Sequence, residues 1–181
     1  MNISVEVLPL PDVLLVHSRR LEDERGYFME TWSKDAFSKL GLHYEFVQEN
    51  QSRSARRNTL RGLHFQIAPF QQAKLVRVLT GRIFEVVVDL RRDSLNFRKW
   101  HGVTLSSQDG AQMLIPRGFA HGFVALDDQT LVTYKVDAPY SPAHERGIRW
   151  NDPTLGVRWP IDPADVILSD RDRDLPLIGE R

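Results

Sequence analysis

Residues 59–66 read Thr-Leu-Arg-Gly-Leu-His-Phe-Gln, a strand-like apolar run with a single imidazole inside it. Neutral imidazole has a lone pair and an ordinary pKa of about 6.5, so it is the side chain best suited to take a proton near pH 7. His64 is therefore a candidate general base; the plainer reading of a lone strand histidine is a hydrogen-bonded structural residue. Side chains alternate across a strand, so His64 shares a face with Gln66, while Arg61 starts on the other face. Only a twist or a bulge could bring Arg61 round. Arg61 also closes a cluster with Arg53, Arg56 and Arg57, which reads either as a solvated loop or as one wall of a phosphate site. Of the four, Arg61 is the one beside the candidate base.

The elements that must position these residues are short. β-Branched and aromatic runs separated by turn residues recur at 13–16, 26–32, 44–48, 74–79, 82–90, 102–105, 112–115, 121–126 and 130–136. This rhythm predicts an all-β fold. Thr80-Gly81 reads as a hairpin turn between two runs, and 34–40 followed by Gly41 as a short helix with a glycine stop. Many short strands in one chain suggest a jelly roll, a double-stranded β-helix with short peripheral helices, whose interior can hold a small ligand. No internal repeat or low-complexity linker interrupts residues 1–181, which read as a single domain able to bury a real core. The proline-rich stretch 139–163 carries Trp150 and Trp159 and reads as an ordered crossing loop, because disordered segments are poor in aromatics.

Composition excludes several classes. Lys and Arg total 24, as do Asp and Glu, so no global positive field is present to hold nucleic acid. The apolar run 83–90 is broken by Glu85 and Asp89 and falls far short of the roughly 20 residues a membrane span requires. The N-terminus shows no basic leader followed by an apolar core, which places the expected protein in the cytoplasm. With no cysteine there is no disulfide, no thiolate metal site and no cysteine nucleophile.

Residues 116–121, Pro-Arg-Gly-Phe-Ala-His, deliver a second histidine from a turn. In metal-binding jelly rolls of the cupin kind a similar segment supplies one ligand, and an earlier His-x-His with a downstream Glu supplies the rest. Here the earlier segment is His64-Phe65-Gln66, with one histidine, whereas a site of that type needs about three protein ligands. The pocket reads as free of metal. Taken together, the chain resembles the dTDP-4-dehydrorhamnose 3,5-epimerase family of nucleotide-sugar enzymes. The matching blocks run in order: Arg-Gly-Tyr-Phe-Met-Glu at 25–30, Gln-Glu-Asn at 48–50, Leu-Arg-Gly-Leu-His-Phe-Gln at 60–66 and Gln-Ala-Lys-Leu-Val-Arg-Val at 72–78. They continue through 81–91, 115–123, Thr-Tyr-Lys at 133–135, Asn-Asp-Pro at 151–153 and Leu-Ser-Asp-Arg-Asp at 168–172. Each block is weak alone; their collinearity is specific.

The resemblance implies a chemistry that explains the residue types. Inverting a carbon beside a ketone means removing its proton to form an enolate and returning a proton to the opposite face, which needs a base, an acid and an oxyanion stabiliser. By resemblance His64 is the base and Asp172 the carboxylate that accepts its other ring N–H; Tyr134 is the acid on the opposite face and Lys74 the cation beside the ketone oxygen. Arg25, Gln48, Asn50 and Arg61 match positions that contact the nucleotide or its phosphates, Glu30, His121 and Glu145 match other ligand contacts, and Phe28 and Tyr140 could stack on the thymine base. Arg171 stands where many members carry Lys, so a fork replaces a point donor. The chain ends soon after Asp172, which leaves little room for a C-terminal helix. The resemblance also implies a homodimer paired through N-terminal strands, with 25–30 near the partner's pocket, and no cofactor.

The implied reaction converts dTDP-4-dehydro-6-deoxy-D-glucose to dTDP-4-dehydro-L-rhamnose. A mono-epimerase acting at carbon 3 or carbon 5 of a related nucleotide-linked 4-keto sugar is the near alternative, and a ketoisomerase on the same substrate type a further one. A non-catalytic nucleotide-sugar-binding cupin is the alternative outside enzymes. His64, Asp172, Tyr134 and Lys74 together argue against it, because binding alone needs no acid–base set.

Overall fold

The computed structural model describes residues 2–179. Strands β1 (Ile3–Val7), β2 (Leu14–Ser18), β10 (Ala111–Ile115), β7 (Lys74–Thr80), β12 (Thr130–Val136) and β5 (Gln48–Ser54) form one antiparallel sheet in that spatial order. A second sheet runs β13 (Glu145–Gly147), β6 (Leu60–Gln66), β11 (Phe119–Ala125), β8 (Arg82–Asp89) and β9 (Trp100–Ser106). A separate hairpin pairs β3 (Arg20–Asp23) with β4 (Gly26–Met29). The α-helices among the described residues are α1 (Lys34–Lys39) and α2 (Asp170–Arg173), with 3-10 turns at Pro142–His144 and Pro163–Asp165, and no helix among the described residues is long and apolar enough to cross a membrane.

The alternation of side chains explains the layers. Leu15, Val76, Val78, Met113 and Val132 of the first sheet meet Ile83, Val87, Leu105, Phe119 and Phe123 of the second in one buried cluster, which is the space between the sheets. The other face of the first sheet carries Val16, Leu75 and Leu114, covered by Phe37 of α1 and by Trp32, Tyr44 and Phe46. The other face of the second sheet carries Leu60, Leu63, Val86, Val88 and Val124, covered by the crossing segment through Ile148, Trp150, Leu155 and Trp159. That segment is ordered as the sequence suggests, with the Trp159 indole donating to the Trp150 carbonyl at 2.9 Å. α1 begins at Ser33, whose hydroxyl accepts from the Ala36 amide, and stops at Gly41, where φ is +78°.

Two sequence expectations are corrected. Thr80-Gly81 is not a hairpin: β7 already lies between β10 and β12, and β8 between β11 and β9, so the turn carries the chain from one sheet to the other. The run 44–48 is not a strand either. Tyr44 and Phe46 stack at 6.0 Å over the α1 layer, and the strand begins at Gln48. β5 contains no apolar residue, which hid it, because its alternate positions line a cavity and solvent instead of a core.

The feature that most concerns chemistry lies in β6. His64 pairs with His121 and Arg61 with Phe123, so Gly62 and Leu63 together oppose Gly122, a β-bulge of one extra residue. His121 and Phe123 share a face, so the bulge turns Arg61 to the same inner face as His64. Gly62 permits it: its φ is +123°, and a Cβ there would lie 2.6 Å from the Gly122 Cα. Gly62→Ala is therefore expected to cost about 2–4 kcal/mol in urea unfolding, through strain and backbone collision. A loss below about 0.5 kcal/mol would show that the bulge relaxes freely.

Candidate active site

Where apolar packing between the sheets ends, a cavity of about 220 Å³ opens, lined by His64, Lys74, Tyr134, Gln48, Asn50, Tyr140 and Glu145 among others. His64 reaches it from β6, and Asp172 meets the imidazole from α2, with Nε2 and Oδ1 2.6 Å apart. Burial would raise the Asp172 carboxyl, but bonds from His64, the Gly62 amide and Ser169 outweigh it and hold the group below the usual carboxylate range. An ionised Asp172 fixes the Nε2–H tautomer of a neutral His64 and leaves Nδ1 as the lone pair. That arrangement can accept a proton and keep it, because the imidazolium formed stays paired.

The facing sheet supplies a cation and a phenol. Lys74 opens β7 and is 7% exposed. Burial pushes its ammonium down to about 8, with Glu85 and Glu145 opposing that shift. No ion pair claims it among the described residues. Tyr134 projects from β12, and burial, reinforced by the Glu145 charge, pushes its phenol up. A protonated phenol and an uncompensated ammonium in a poorly hydrated cavity can donate a proton and stabilise an oxyanion.

The rim is a hydrogen-bonded frame. The Gln48 amide donates to Asn50 Oδ1 at 2.8 Å and its carbonyl accepts from the Tyr140 backbone at 3.0 Å. Tyr140 donates to Glu145 Oε2 at 2.5 Å, and Arg171 pairs with the same oxygen at 2.5 Å. Gln66, on the face of His64 as alternation requires, donates to the carbonyls of Phe70 and Pro139 and accepts from the Ser141 amide, so it pins the Tyr140 loop. Arg61 lies on the inner face, close enough for its charge to act on Tyr134.

Three expected binding residues lie elsewhere in the single chain. Arg25 sits in the β3–β4 turn, bonded to Asp23; Phe28 is 69% exposed on β4; Glu30 follows that strand beside Ser33 and Lys39, outside the cavity. His121 is buried on the inner face of β11, with Nδ1 2.7 Å from Glu85 Oε1. Glu85 is the inner-face residue that sequence reasoning passed over, noted only as an interruption of an apolar strand. That interruption was the signal, since a carboxyl in the middle of a core strand is buried at high cost unless it has a task. Among the described residues, no three His, Asp or Glu side chains converge as a metal site.

The family model for dTDP-4-dehydrorhamnose 3,5-epimerase matches residues 7–180. The chain belongs to that family. Members of the dTDP-4-dehydrorhamnose 3,5-epimerase family are isomerases, and the relative from Pseudomonas aeruginosa is 48% identical over 167 residues, 92% of this chain and 91% of its own. The crystal structure of the Bacillus anthracis epimerase, with TDP and pyrophosphate bound, superposes with a TM-score of 0.94 at 45% identity, covering 97% of this chain and 99% of that one. The Legionella pneumophila epimerase in complex with dTDP-4-keto-L-rhamnose gives 0.93 at 36% identity, over 98% and 94%. The family's all-β double-sheet architecture is thus shared along nearly the whole chain.

Two outcomes are expected from this epimerase fold. With the bonded His64–Asp172 pair serving one proton transfer, His64→Ala and Asp172→Ala are each expected to lower kcat by about 10³ or more, and the double variant to be hardly slower than the worse single one. A double loss equal to the product of the two would separate them. With the Lys74 ammonium as oxyanion donor, kcat/KM is expected to fall as pH rises through about 8, and Lys74→Ala is expected to lower kcat by roughly 10²–10³, the usual cost of one such donor. Lys74→Ala that raises only KM would make the residue a binding contact.

Proposed function

We propose that the protein inverts carbons 3 and 5 of dTDP-4-dehydro-6-deoxy-D-glucose, giving dTDP-4-dehydro-L-rhamnose. The observation that carries this reading is the placement of the His64–Asp172 pair on one sheet and of Tyr134 and Lys74 on the other, across one cavity. His64 Nδ1 takes the proton from the carbon beside the ketone, and the electron pair moves onto the carbonyl oxygen as an enolate. The Lys74 ammonium stabilises that oxygen. The Tyr134 hydroxyl returns a proton from the opposite face, and the configuration inverts. Carbons 3 and 5 flank the same carbonyl, so one base and one acid serve both if the sugar turns between steps.

Gln48, Asn50, Arg61, Tyr140, Glu145 and Arg171 supply contacts along the mouth, where arginine forks suit a diphosphate, and His121 supplies one deeper in. Arg25, Phe28 and Glu30 reach a pocket only as part of a homodimer in which the β3–β4 hairpin lies against the partner. The hairpin's exposed Leu21, Tyr27 and Phe28 fit a covered role.

Incubation with dTDP-4-dehydro-6-deoxyglucose in deuterated water, with excess chelator present, tests position and chemistry together. The unmutated protein is expected to place deuterium at carbons 3 and 5. Tyr134→Phe retains exchange at carbon 3, where the base alone suffices, and loses inversion at carbon 5. Label at carbon 3 only in the unmutated protein would make it a mono-epimerase.

A further inference from the structure

Glu85 lies on the inner face of β8 between Ile83 and Val87, two members of the apolar cluster, and is fully buried. Its Oε1 meets His121 Nδ1 at 2.7 Å, while Oε2 is buried with no hydrogen-bond partner. An ionised carboxylate offers about four acceptor sites, and a fully buried one with a single bond forfeits most of its hydration. A carboxylic acid has no such difficulty. Its hydroxyl donates one bond and its carbonyl tolerates sparse contact.

We propose that Glu85 is a protonated positioning residue: its acid hydroxyl donates to His121 Nδ1 and fixes His121 as an Nε2–H donor, beside Lys74, to the oxygen on which enolate charge develops. The proposal rests on the epimerisation chemistry proposed above. His121 stands directly across the strand pair from His64, and its ring meets Tyr134 edge-on at 6.3 Å between centroids, so the imidazole borders the space those side chains share. The groups that face the Glu85–His121 pair are Lys74 from β7, Tyr134 from β12 and His64 from β6, with Glu145 acting on Lys74 and Tyr134 from β13. Burial drives Glu85 well above its ordinary value against the opposing charge of Lys74, and burial with the Lys74 and His64 charges drives His121 well below its own, which favours the neutral pair over an imidazolium–carboxylate pair. The charge balance of the reaction points the same way. An anionic Glu85 would neutralise Lys74 and repel the enolate in a space of low dielectric, whereas a neutral one leaves the ammonium's field to the substrate and adds a second donor.

The opposite arrangement, an ionised Glu85 serving His121 as Asp172 serves His64, makes different predictions. Infrared difference spectra of the free protein at neutral pH are expected to contain the carbonyl stretch of a protonated carboxylic acid, absent from Glu85→Gln. Nitrogen-15 spectra are expected to report His121 as the neutral Nε2–H tautomer. Gln can donate its amide N–H to Nδ1, so Glu85→Gln retains kcat within about tenfold, while Glu85→Leu, which frees the imidazole, loses about 10²-fold in kcat with dTDP affinity within twofold. Absence of the acid band, or a Glu85→Gln loss as large as that of Glu85→Leu, overturns the proposal. If Glu85→Leu fails to fold, the spectra of the free protein and of Glu85→Gln decide. Because those spectra need no substrate, an acid band in a protein that incorporates no deuterium would refute the epimerase reading and leave Glu85's protonation standing, whereas a labelled product without the band would refute the Glu85 proposal alone.

Discussion

The structure depends most on one hydrogen bond, that between His64 and Asp172, whose partners are 108 residues apart in the chain. Bringing them together requires the crossing segment to wrap the outer face of the second sheet and return its end to β6. The segment is fastened on the way. Ile167 exchanges backbone bonds with Asn58 and Leu60 at 2.9 Å, Ile148 with Leu63, and β13 adds itself to the β6 edge. Trp150, Trp159 and Leu168 then bury their apolar surface against Leu60 and Val124. The Ser169 hydroxyl accepts from the Asp172 amide at 3.1 Å and sets the short turn that carries the carboxylate. The outer hydrophobic layer, remote from the cavity, thus determines which imidazole nitrogen carries the proton.

A second constraint is electrostatic. The apolar cluster closes one end of the inter-sheet space, so groups at its border sit where charge is weakly screened. Asp172 is stabilised as an anion by several donors, whereas Lys74 is left with an ammonium that nothing nearby neutralises by contact. The anion is therefore confined beside the proposed base and the cation beside the proposed acid. Arg171 and Glu145, farther out on the rim, are paired with each other, so their charges largely offset.

Much of this was legible in the sequence, for physical reasons that differ by element. Apolar strands such as β7 and β8 announced themselves because most of both faces is buried, β12 because its buried residues alternate, and α1 because its serine and glycine ends are local signals. β5 was silent, since Gln48, Asn50 and their neighbours face a cavity and solvent and leave no hydrophobic period. The Thr80-Gly81 turn misled, because a glycine turn between strands looks the same whether they pair or change sheets. His64, Asp172, Tyr134 and Lys74 were identified by collinear resemblance, and folding brings His64 to Asp172. Glu85 escaped because a lone carboxyl in an apolar run reads as noise until the register shows which way it points. Arg25, Phe28 and Glu30 match the family's pattern, yet one chain holds them away from the cavity.

The extra residue in β6 makes the site depend on parity. Arg61 and His64 face inward together only because three steps along β6 are matched to two along β11. Inserting or deleting one residue between them would send either the guanidinium or the imidazole to the outer hydrophobic layer, with every later β6 side chain inverted. A substitution at the cavity wall changes one side chain, whereas a change of length between Arg61 and His64 changes the face of a whole run of them. The spacing between Arg61 and His64 is thus fixed by the pairing of β6 with β11, independently of what the two side chains contact.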